Sequence, residues 1–228
     1  MNHTYQHQFI EHAVSTGGLE FHPKGRKLKS ERYSPYFFNS GKYSTGSALT
    51  ALALGYAQAI IANWDKLRPE VIFGPAYKGI TLASAVAVEL SRLGYDLPFA
   101  FNRKEAKEHA EGGVLVGSVD GLRTLIIDDV ITDGATKVEA MEIVKEHGGI
   151  PIGLVIAFDR HERGVATSQS AAQAFIERFG LPVVSIVSLT DMVEYLGRMD
   201  VILPNNLDRM QMSRLVIEYG ATYAPEDL

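Results

Sequence analysis

The chain has 228 residues, 46% of them hydrophobic and 21% charged, an ordinary balance for one folded domain with a full core and no long disordered tract. A net charge of −5 argues against general nucleic-acid binding, which needs a basic face, although a locally cationic site could still take an anionic substrate. With no cysteine there can be no disulfide framework and no thiolate zinc site, and residence in the cytoplasm is the expectation.

The N-terminal stretch MNHTYQHQFIEHAV is polar and mixed in charge, unlike a secretory leader. Phe9, Ile10, Ala13 and Val14 then share one face of a helix predicted over 5–16, which Gly17-Gly18 ends. Residues 19–43 are rich in Gly, Pro, Lys, Arg, Ser and aromatics. They read as a small irregular lobe with short strand-like pieces such as Tyr36-Phe37-Phe38. A long Ala- and Leu-rich helix is predicted over 45–64.

From Val71 onward strands and helices alternate. Strand 71–73 leads to helix 80–93, and strand 98–101 to a polar loop. Strand 124–127 leads to helix 135–147, strand 151–158 to helix 168–179, and strand 183–188 to helix 190–198. A helix-like stretch with Met210, Met212, Leu215 and Val216 closes the chain and suggests no function of its own. This alternation predicts an α/β fold with a mostly parallel sheet flanked by helices, and ligands at the carboxyl ends of the strands. The expected organisation is a single domain over 1–228 with a small N-terminal subdomain at about 19–43. The chain has no Walker A loop, no GxGxxG after a strand, no HExxH and no GxSxG.

Four segments at those strand ends, and a fifth in the N-terminal lobe, could carry chemistry. In Thr124–Thr136 an apolar run is followed by Asp128 and Asp129, then by Val130, Ile131 and the small-residue turn Thr132-Asp133-Gly134-Ala135-Thr136 before a helix. Ionised carboxylates only accept hydrogen bonds, which suits vicinal sugar hydroxyls. Free N–H groups at a helix start suit a phosphate. Together they describe a site for a ribose 5-phosphate, although an Asp before a helix also serves as a plain N-cap.

Gly74-Pro75-Ala76-Tyr77-Lys78-Gly79 offers close backbone approach and a cation, fit for a diphosphate or for a simple helix-capping turn. Arg103-Lys104-Glu105-Ala106-Lys107-Glu108-His109-Ala110-Glu111-Gly112-Gly113 reads alone as a solvated turn. Leu28–Asn39 sets Phe37 and Phe38 near Lys29, either as core rings or as a wall for a flat anionic base. Asp159-Arg160-His161-Glu162-Arg163-Gly164 is a salt-bridged turn, or else a place where Arg160 meets a carboxylate through its planar fork.

The segment 124–136 resembles the phosphoribosyl pyrophosphate signature of the type I phosphoribosyltransferases, and 103–113 resembles the mobile loop of the orotate-specific branch. With the 29–38 and 159–164 segments in the same order, the resemblance runs from about residue 5 to about residue 198. It implies transfer of a 5-phosphoribosyl group from phosphoribosyl pyrophosphate to orotate, in a homodimer whose lid loop is shared across subunits. It also implies Mg²⁺ carried mainly by diphosphate and substrate oxygens rather than a protein metal cage.

By this resemblance Asp128 and Asp129 hold the ribose hydroxyls, and 130–136 (Val130, Ile131, Thr132, Asp133, Gly134, Ala135, Thr136) seats the 5-phosphate. Tyr77 and Lys78 bind pyrophosphate, in a loop that carries a cis peptide away from proline in the family. Arg103, Lys104, Lys107 and His109 bring cations to the leaving group. Lys29 flanks the substrates, Phe37 and Phe38 pack the base, and Arg160 pairs with its carboxylate. The catalytic set implied is Lys107, His109, Asp129, Lys78 and Arg103. Three positions depart from the family pattern: Glu31 stands where glycine is usual, Asp133 puts a negative charge in the phosphate loop, and Ala135-Thr136 exchanges the usual order of small and hydroxyl residues. Alternatives are a phosphoribosyltransferase for another base and a non-catalytic nucleotide-sensing regulator on the same fold.

Overall fold

The computed structural model describes residues 4–107, 113–131, 135–164 and 167–225. Helix α1 (Tyr5–Ser15) begins on Thr4, whose hydroxyl accepts from the His7 N–H, and buries Phe9, Ile10 and Ala13. Strands β1 (Leu19–Lys27) and β2 (Tyr33–Phe38) pair antiparallel in a separate two-stranded sheet. The lobe predicted to be irregular is thus largely a hairpin. Its strand pattern is broken in the sequence by Pro23 and Gly25, and there the register shifts, between Phe21 and Arg26.

The chain continues through α2 (Gly46–Ala62) and the short α3 (Trp64–Leu67) to β3 (Val71–Gly74), α4 (Lys78–Arg92), β4 (Phe99–Lys107) and β5 (Gly113–Val116). Then come β6 (Arg123–Val130), α5 (Ala135–Glu146), β7 (Ile150–Asp159), α6 (Ala171–Phe179), β8 (Val183–Ser188), α7 (Leu189–Gly197) and α8 (Arg209–Tyr223). A six-stranded sheet has the order β5-β4-β3-β6-β7-β8. It is mostly parallel, with β3 parallel to both β4 and β6, while β5 runs antiparallel to β4 at the edge.

The chain steps outward from β3 to β4 on one side and from β6 to β8 on the other. The boundary between β3 and β6 is therefore the topological switch point, where the carboxyl ends of two strands part and leave a crevice. All four residues of β3 are buried, as is β6 from Thr124 to Asp129, which explains their unbroken apolar runs. Helix α4 packs on β3, β4 and β6 through Leu82, Ala83, Val86, Ala87 and Leu90, spaced along one helical stripe.

Two strands reach further than the sequence pattern implies. Strand β4 continues through Lys107 by pairing with β5, beyond the end of β3 at Gly74, whose partner is Phe101. The segment predicted as a loop from 102 onward is thus stranded through Lys107 and again from Gly113. Strand β6 continues to Val130, so Asp128 and Asp129 lie inside the strand rather than after it.

The chain divides into two compact units. One comprises residues 1–52, 158–174 and 187–228, in which α1 packs on β1 and α7, and α8 packs on β1, β2 and α7. The other comprises 53–157 and 175–186 and holds an apolar core that includes Val71, Phe73, Ile126, Met141, Leu154 and Phe175. No helix among the described residues is long and apolar enough to cross a membrane.

Candidate active site

In the second unit, the carboxyl end of β6 carries two carboxylates with matching hydrogen bonds. Asp128 Oδ1 accepts from the Asp129 N–H at 2.8 Å, and its Oδ2 accepts from Lys137 Nζ at 2.6 Å. Asp129 repeats the pattern, with Oδ1 accepting from the Val130 N–H at 2.8 Å and Oδ2 from Lys78 Nζ at 2.6 Å. Below them Tyr56 Oη donates to the Asp128 carbonyl at 2.7 Å and ties helix α2 to the strand end. The Asp128 carboxyl is held above the ordinary carboxylate range. Burial is the main cause; Lys137 pulls the other way, and Asp129 adds to the rise.

The two lysines differ in freedom. The Lys137 side chain, in the first turn of α5, is 7% exposed, whereas that of Lys78, the first residue of α4, is 59% exposed. Lys78 can leave Asp129 for an incoming anion at little cost; Lys137 cannot leave Asp128 without stranding a buried charge.

The loop after β3 is shaped by two facing glycines. A Cβ on Gly74 would fall 1.9 Å from the Gly79 carbonyl oxygen, and one on Gly79 would fall 2.6 Å from Pro75 Cδ. Side chains are therefore excluded where the chain folds back from strand to helix. The peptide bond between Ala76 and Tyr77 is cis. Buried Asn102, on β4, holds the loop by accepting from the Ala76 N–H at 2.8 Å. Tyr77 is 69% exposed, with Lys104 Nζ 5.3 Å from its ring centroid. Pro75, Tyr77, Lys78, Asn102, Lys104, Asp128, Asp129 and Lys137 all line one cavity of about 210 Å³. Tyr77, Lys78, Lys104, Asp128 and Asp129, singled out in the sequence, are thus brought together here.

Other predicted residues stand as follows. Arg103 is half-buried on β4, and Lys107 closes that strand opposite Gly113. Val130 ends β6, and Ile131 packs against the core below. Ala135 and Thr136 open α5. His109, Thr132, Asp133 and Gly134 lie outside the described residues.

The first unit carries a second cluster, around the turn after β7. Arg160 Nη2 donates to Glu162 Oε1 at 2.5 Å and to Ser34 Oγ at 2.9 Å, with Tyr219 Oη at 3.5 Å. Its guanidinium carbon lies 5.0 Å from the centroid of the Tyr36 ring. Burial works against the Arg160 charge, but Tyr36, Glu162 and Tyr219 more than offset it and hold the guanidinium above its ordinary range. Arg160 Nε and Tyr36 Oη are both buried, and the guanidinium and the phenol interact directly with each other. His161 adopts the left-handed region (φ 51°), made accessible by its N–H bonding back to Asp159 Oδ1 at 2.9 Å.

Phe38 is a core residue, stacked on Phe158 at 6.1 Å and in ring contact with Phe9 and Tyr43. Phe37 is half-buried, with the Arg26 guanidinium 3.8 Å from its centroid. Lys29 is exposed in the turn between β1 and β2. In that turn Glu31 takes φ 65°, the left-handed conformation that glycine adopts without strain, and its carboxylate pairs with Lys27 Nζ.

Sequence reasoning missed Lys137, Asn102, Glu162 and Tyr219 as site residues. Lys137 did carry a signal, since a lysine within an otherwise apolar helical stripe needs a buried partner. Glu162 lies within the 159–164 turn without a role marked for it there, and nothing local marks Asn102 or Tyr219.

The phosphoribosyl transferase domain family matches residues 41–183. An orotate phosphoribosyltransferase of Stenotrophomonas maltophilia (strain K279a) is 48% identical over 194 residues, covering 84% of this chain and 86% of that protein. One from Pseudomonas savastanoi pv. phaseolicola is 48% identical over 217 residues, covering 95% and 98%. The chain belongs to the orotate phosphoribosyltransferase family. Among solved structures, the orotate phosphoribosyltransferase of Francisella tularensis superposes with a TM-score of 0.81 at 34% identity, over 95% of this chain and 99% of that one. A family member needs one seat for a sugar diphosphate and one for a flat acid. The cavity at the β3–β6 switch point and the Arg160 cluster have matching chemistry.

Proposed function

We infer that this protein transfers the 5-phosphoribosyl group of phosphoribosyl pyrophosphate to orotate, releasing pyrophosphate and forming orotidine 5-phosphate for pyrimidine nucleotide synthesis. The observation that carries this reading is the pair Asp128–Asp129, each carboxylate fixed by a backbone N–H and a lysine, at the switch point beside the Pro75–Lys78 loop.

The chemistry is displacement at the anomeric carbon. The bond from that carbon to the diphosphate oxygen breaks, and one to a ring nitrogen of orotate forms. Positive charge develops on the sugar while negative charge gathers on the leaving oxygen, so catalysis needs positioning and electrostatic stabilisation more than a strong base. Asp128 and Asp129 accept from the ribose hydroxyls, which fixes the ring and places negative charge near the developing cation. Lys78 and Tyr77 receive the diphosphate, with Lys78 exchanging Asp129 for phosphate oxygens. The 130–136 segment and the start of α5 seat the 5-phosphate. Arg103, Lys104, Lys107 and His109 bring positive charge to the departing pyrophosphate, and the 103–113 segment serves as a lid that excludes water.

The base is held in the first unit's residues. Lys29 flanks it, Phe37 and Phe38 pack it, and Arg160 takes its carboxylate. The buried Arg160 guanidinium and Tyr36 phenol supply donors that favour an acidic ligand. Mg²⁺ would ride mainly on the diphosphate and substrate oxygens rather than in a protein cage, and when bound would neutralise charge on the leaving group. We further propose a cytoplasmic homodimer whose lid loop serves the neighbouring subunit's site.

The test is a mixing assay with orotate, phosphoribosyl pyrophosphate and Mg²⁺, following loss of orotate's ultraviolet absorbance. Loss that needs every component and fails with uracil or hypoxanthine supports the reading. Turnover of another base, or none, would move the assignment to a different base or to a regulator.

A further inference from the structure

We propose that Glu162 and Tyr219 are positioning residues for Arg160, so that helix α8, which has no other assigned role, takes part in recognising the substrate's carboxylate. This rests on the reading that Arg160 meets that carboxylate.

An arginine side chain is long and flexible, and paired hydrogen bonds to a carboxylate demand that its plane be fixed in advance. Three chain segments fix it here. From β2, Ser34 Oγ donates its own proton to the Tyr36 carbonyl at 2.7 Å and so meets Arg160 Nη2 as an acceptor. From the turn after β7, Glu162 Oε1 accepts from the same nitrogen. From α8, Tyr219 Oη donates to Glu162 Oε1 at 2.8 Å, which leaves a lone pair facing Arg160 Nη2 at 3.5 Å. The polarities agree at each contact: each acceptor offered to Arg160 has its proton committed elsewhere or carries none.

The frame has a floor and a back wall. Tyr36 lies under the guanidinium and packs edge-on against Tyr219, with centroids 5.9 Å apart and an interplanar angle of 79°. Glu162 Oε2 lies 3.7 Å from Arg32 Nη1, which also donates to the Arg163 carbonyl at 2.7 Å. Arg163 in turn binds α8 through its backbone N–H to the Tyr223 carbonyl and its Nη2 to the Thr222 carbonyl. Helix α8 is thus tied to the Arg160 turn by backbone, phenol and carboxylate at once. With Nη2 committed inside the protein, a substrate carboxylate meets the guanidinium through its other nitrogens. Glu162 is shared by two arginines, so it orients Arg160 without cancelling the positive charge of the cluster.

The experiment measures kcat, the KM for orotate and the KM for phosphoribosyl pyrophosphate in the full-length protein, for Tyr219→Phe, Glu162→Gln, Arg160→Met and the double variant Arg160→Met/Tyr219→Phe. Tyr219→Phe and Glu162→Gln each raise the KM for orotate about tenfold, as loss of one hydrogen bond to a charged group implies. The KM for phosphoribosyl pyrophosphate stays within about twofold, a split that general loss of structure would not produce. The double variant is no worse than Arg160→Met alone, because Tyr219 acts only through Arg160. Full additivity in the double variant, or an unchanged orotate KM in both single variants, would overturn the proposal. An unchanged orotate KM in Arg160→Met would overturn the Arg160 reading as well, so the two failures are told apart. If Glu162→Gln folds poorly, the smaller change Tyr219→Phe still decides.

Discussion

Lys137 Nζ lies 2.6 Å from Asp128 Oδ2, buried at the bottom of the phosphoribosyl cavity, while the equivalent lysine on Asp129 is largely exposed. The two carboxylates therefore share one hydrogen-bond pattern but differ in permanence. Asp128 has a resident counter-ion that substrate cannot displace cheaply, whereas Asp129 has one that an incoming diphosphate can take over. Under the proposed function, this division would make Asp128 a fixed element of the ribose seat and Lys78 an exchanging one.

Replacing Lys137 by Met should expose that role. Removing one partner of a buried pair leaves the other charge uncompensated, which costs about 3 kcal/mol. For a chain of this size that is a melting-temperature drop of roughly 6–12 °C. Burial already holds the Asp128 carboxyl above its unfolded value, and without Lys137 it rises further. A carboxyl whose folded pKa exceeds its unfolded one weakens the fold as pH climbs from the unfolded value through the folded value. The deficit of Lys137→Met should thus be largest near pH 8 and shrink towards pH 5. Thermal melts of both proteins across that range check this; a deficit independent of pH would count against it.

Asn102 makes a different prediction, because it touches backbone rather than charge. Its Oδ1 accepts from the Ala76 N–H next to the cis Ala76–Tyr77 peptide, inside the diphosphate loop. Asn102→Ala leaves that N–H without its partner and lets the loop wander from its binding geometry. The expected result is about a tenfold loss in kcat/KM for phosphoribosyl pyrophosphate in the forward reaction. In the reverse reaction the KM for pyrophosphate should rise with little change in that for orotidine 5-phosphate. Equal changes in both reverse KM values would argue for a general loosening instead.

The contrast between Lys78 and Asn102 explains how much was legible in the sequence. Lys78, Asp128 and Asp129 sit in short contiguous motifs at the carboxyl ends of buried strands, so pattern alone finds them and suggests their chemistry. Parallel strands announce themselves as unbroken apolar runs, and the β/α alternation after Val71 follows from that. The β1–β2 hairpin was not legible, because Pro23 and Gly25 interrupt its alternation where the register shifts. Nor was the reach of β4 to Lys107, since a charged run reads as a loop and only pairing with β5 extends the strand past the end of β3. Asn102, Lys137 and Tyr219 act on partners 26, 9 and 57 positions away. Only the folded sheet and the packing of α8 bring the two longer-range pairs within reach.

Glu31 gives a prediction in the stabilising direction. A non-glycine residue at φ 65° is strained by about 1 kcal/mol, and its ion pair with Lys27 is exposed and contributes little. Glu31→Gly should raise the melting temperature by roughly 2–4 °C. Lys29, in the same turn, keeps its setting, so the orotate KM should stay within about twofold of wild type. A fall in melting temperature would show that the Lys27 contact outweighs the backbone strain.

Lys107 tests the electrostatic part of the mechanism. It closes β4 opposite Gly113, at the base of the lid segment. At that position it contributes backbone pairing with β5, which alanine preserves. Removing a cation that acts on charge developing in the transition state lowers turnover by about 10²–10³-fold, as loss of a preorganised donor does elsewhere. The ground-state diphosphate gains less from the same cation, so the KM for phosphoribosyl pyrophosphate should move far less than kcat. Lys107→Ala is therefore expected to lose most of its turnover while melting within a few degrees of the parent. Parallel losses of melting temperature and activity would assign Lys107 to the fold instead, and the leaving-group charge would then rest on Arg103, Lys104 and His109.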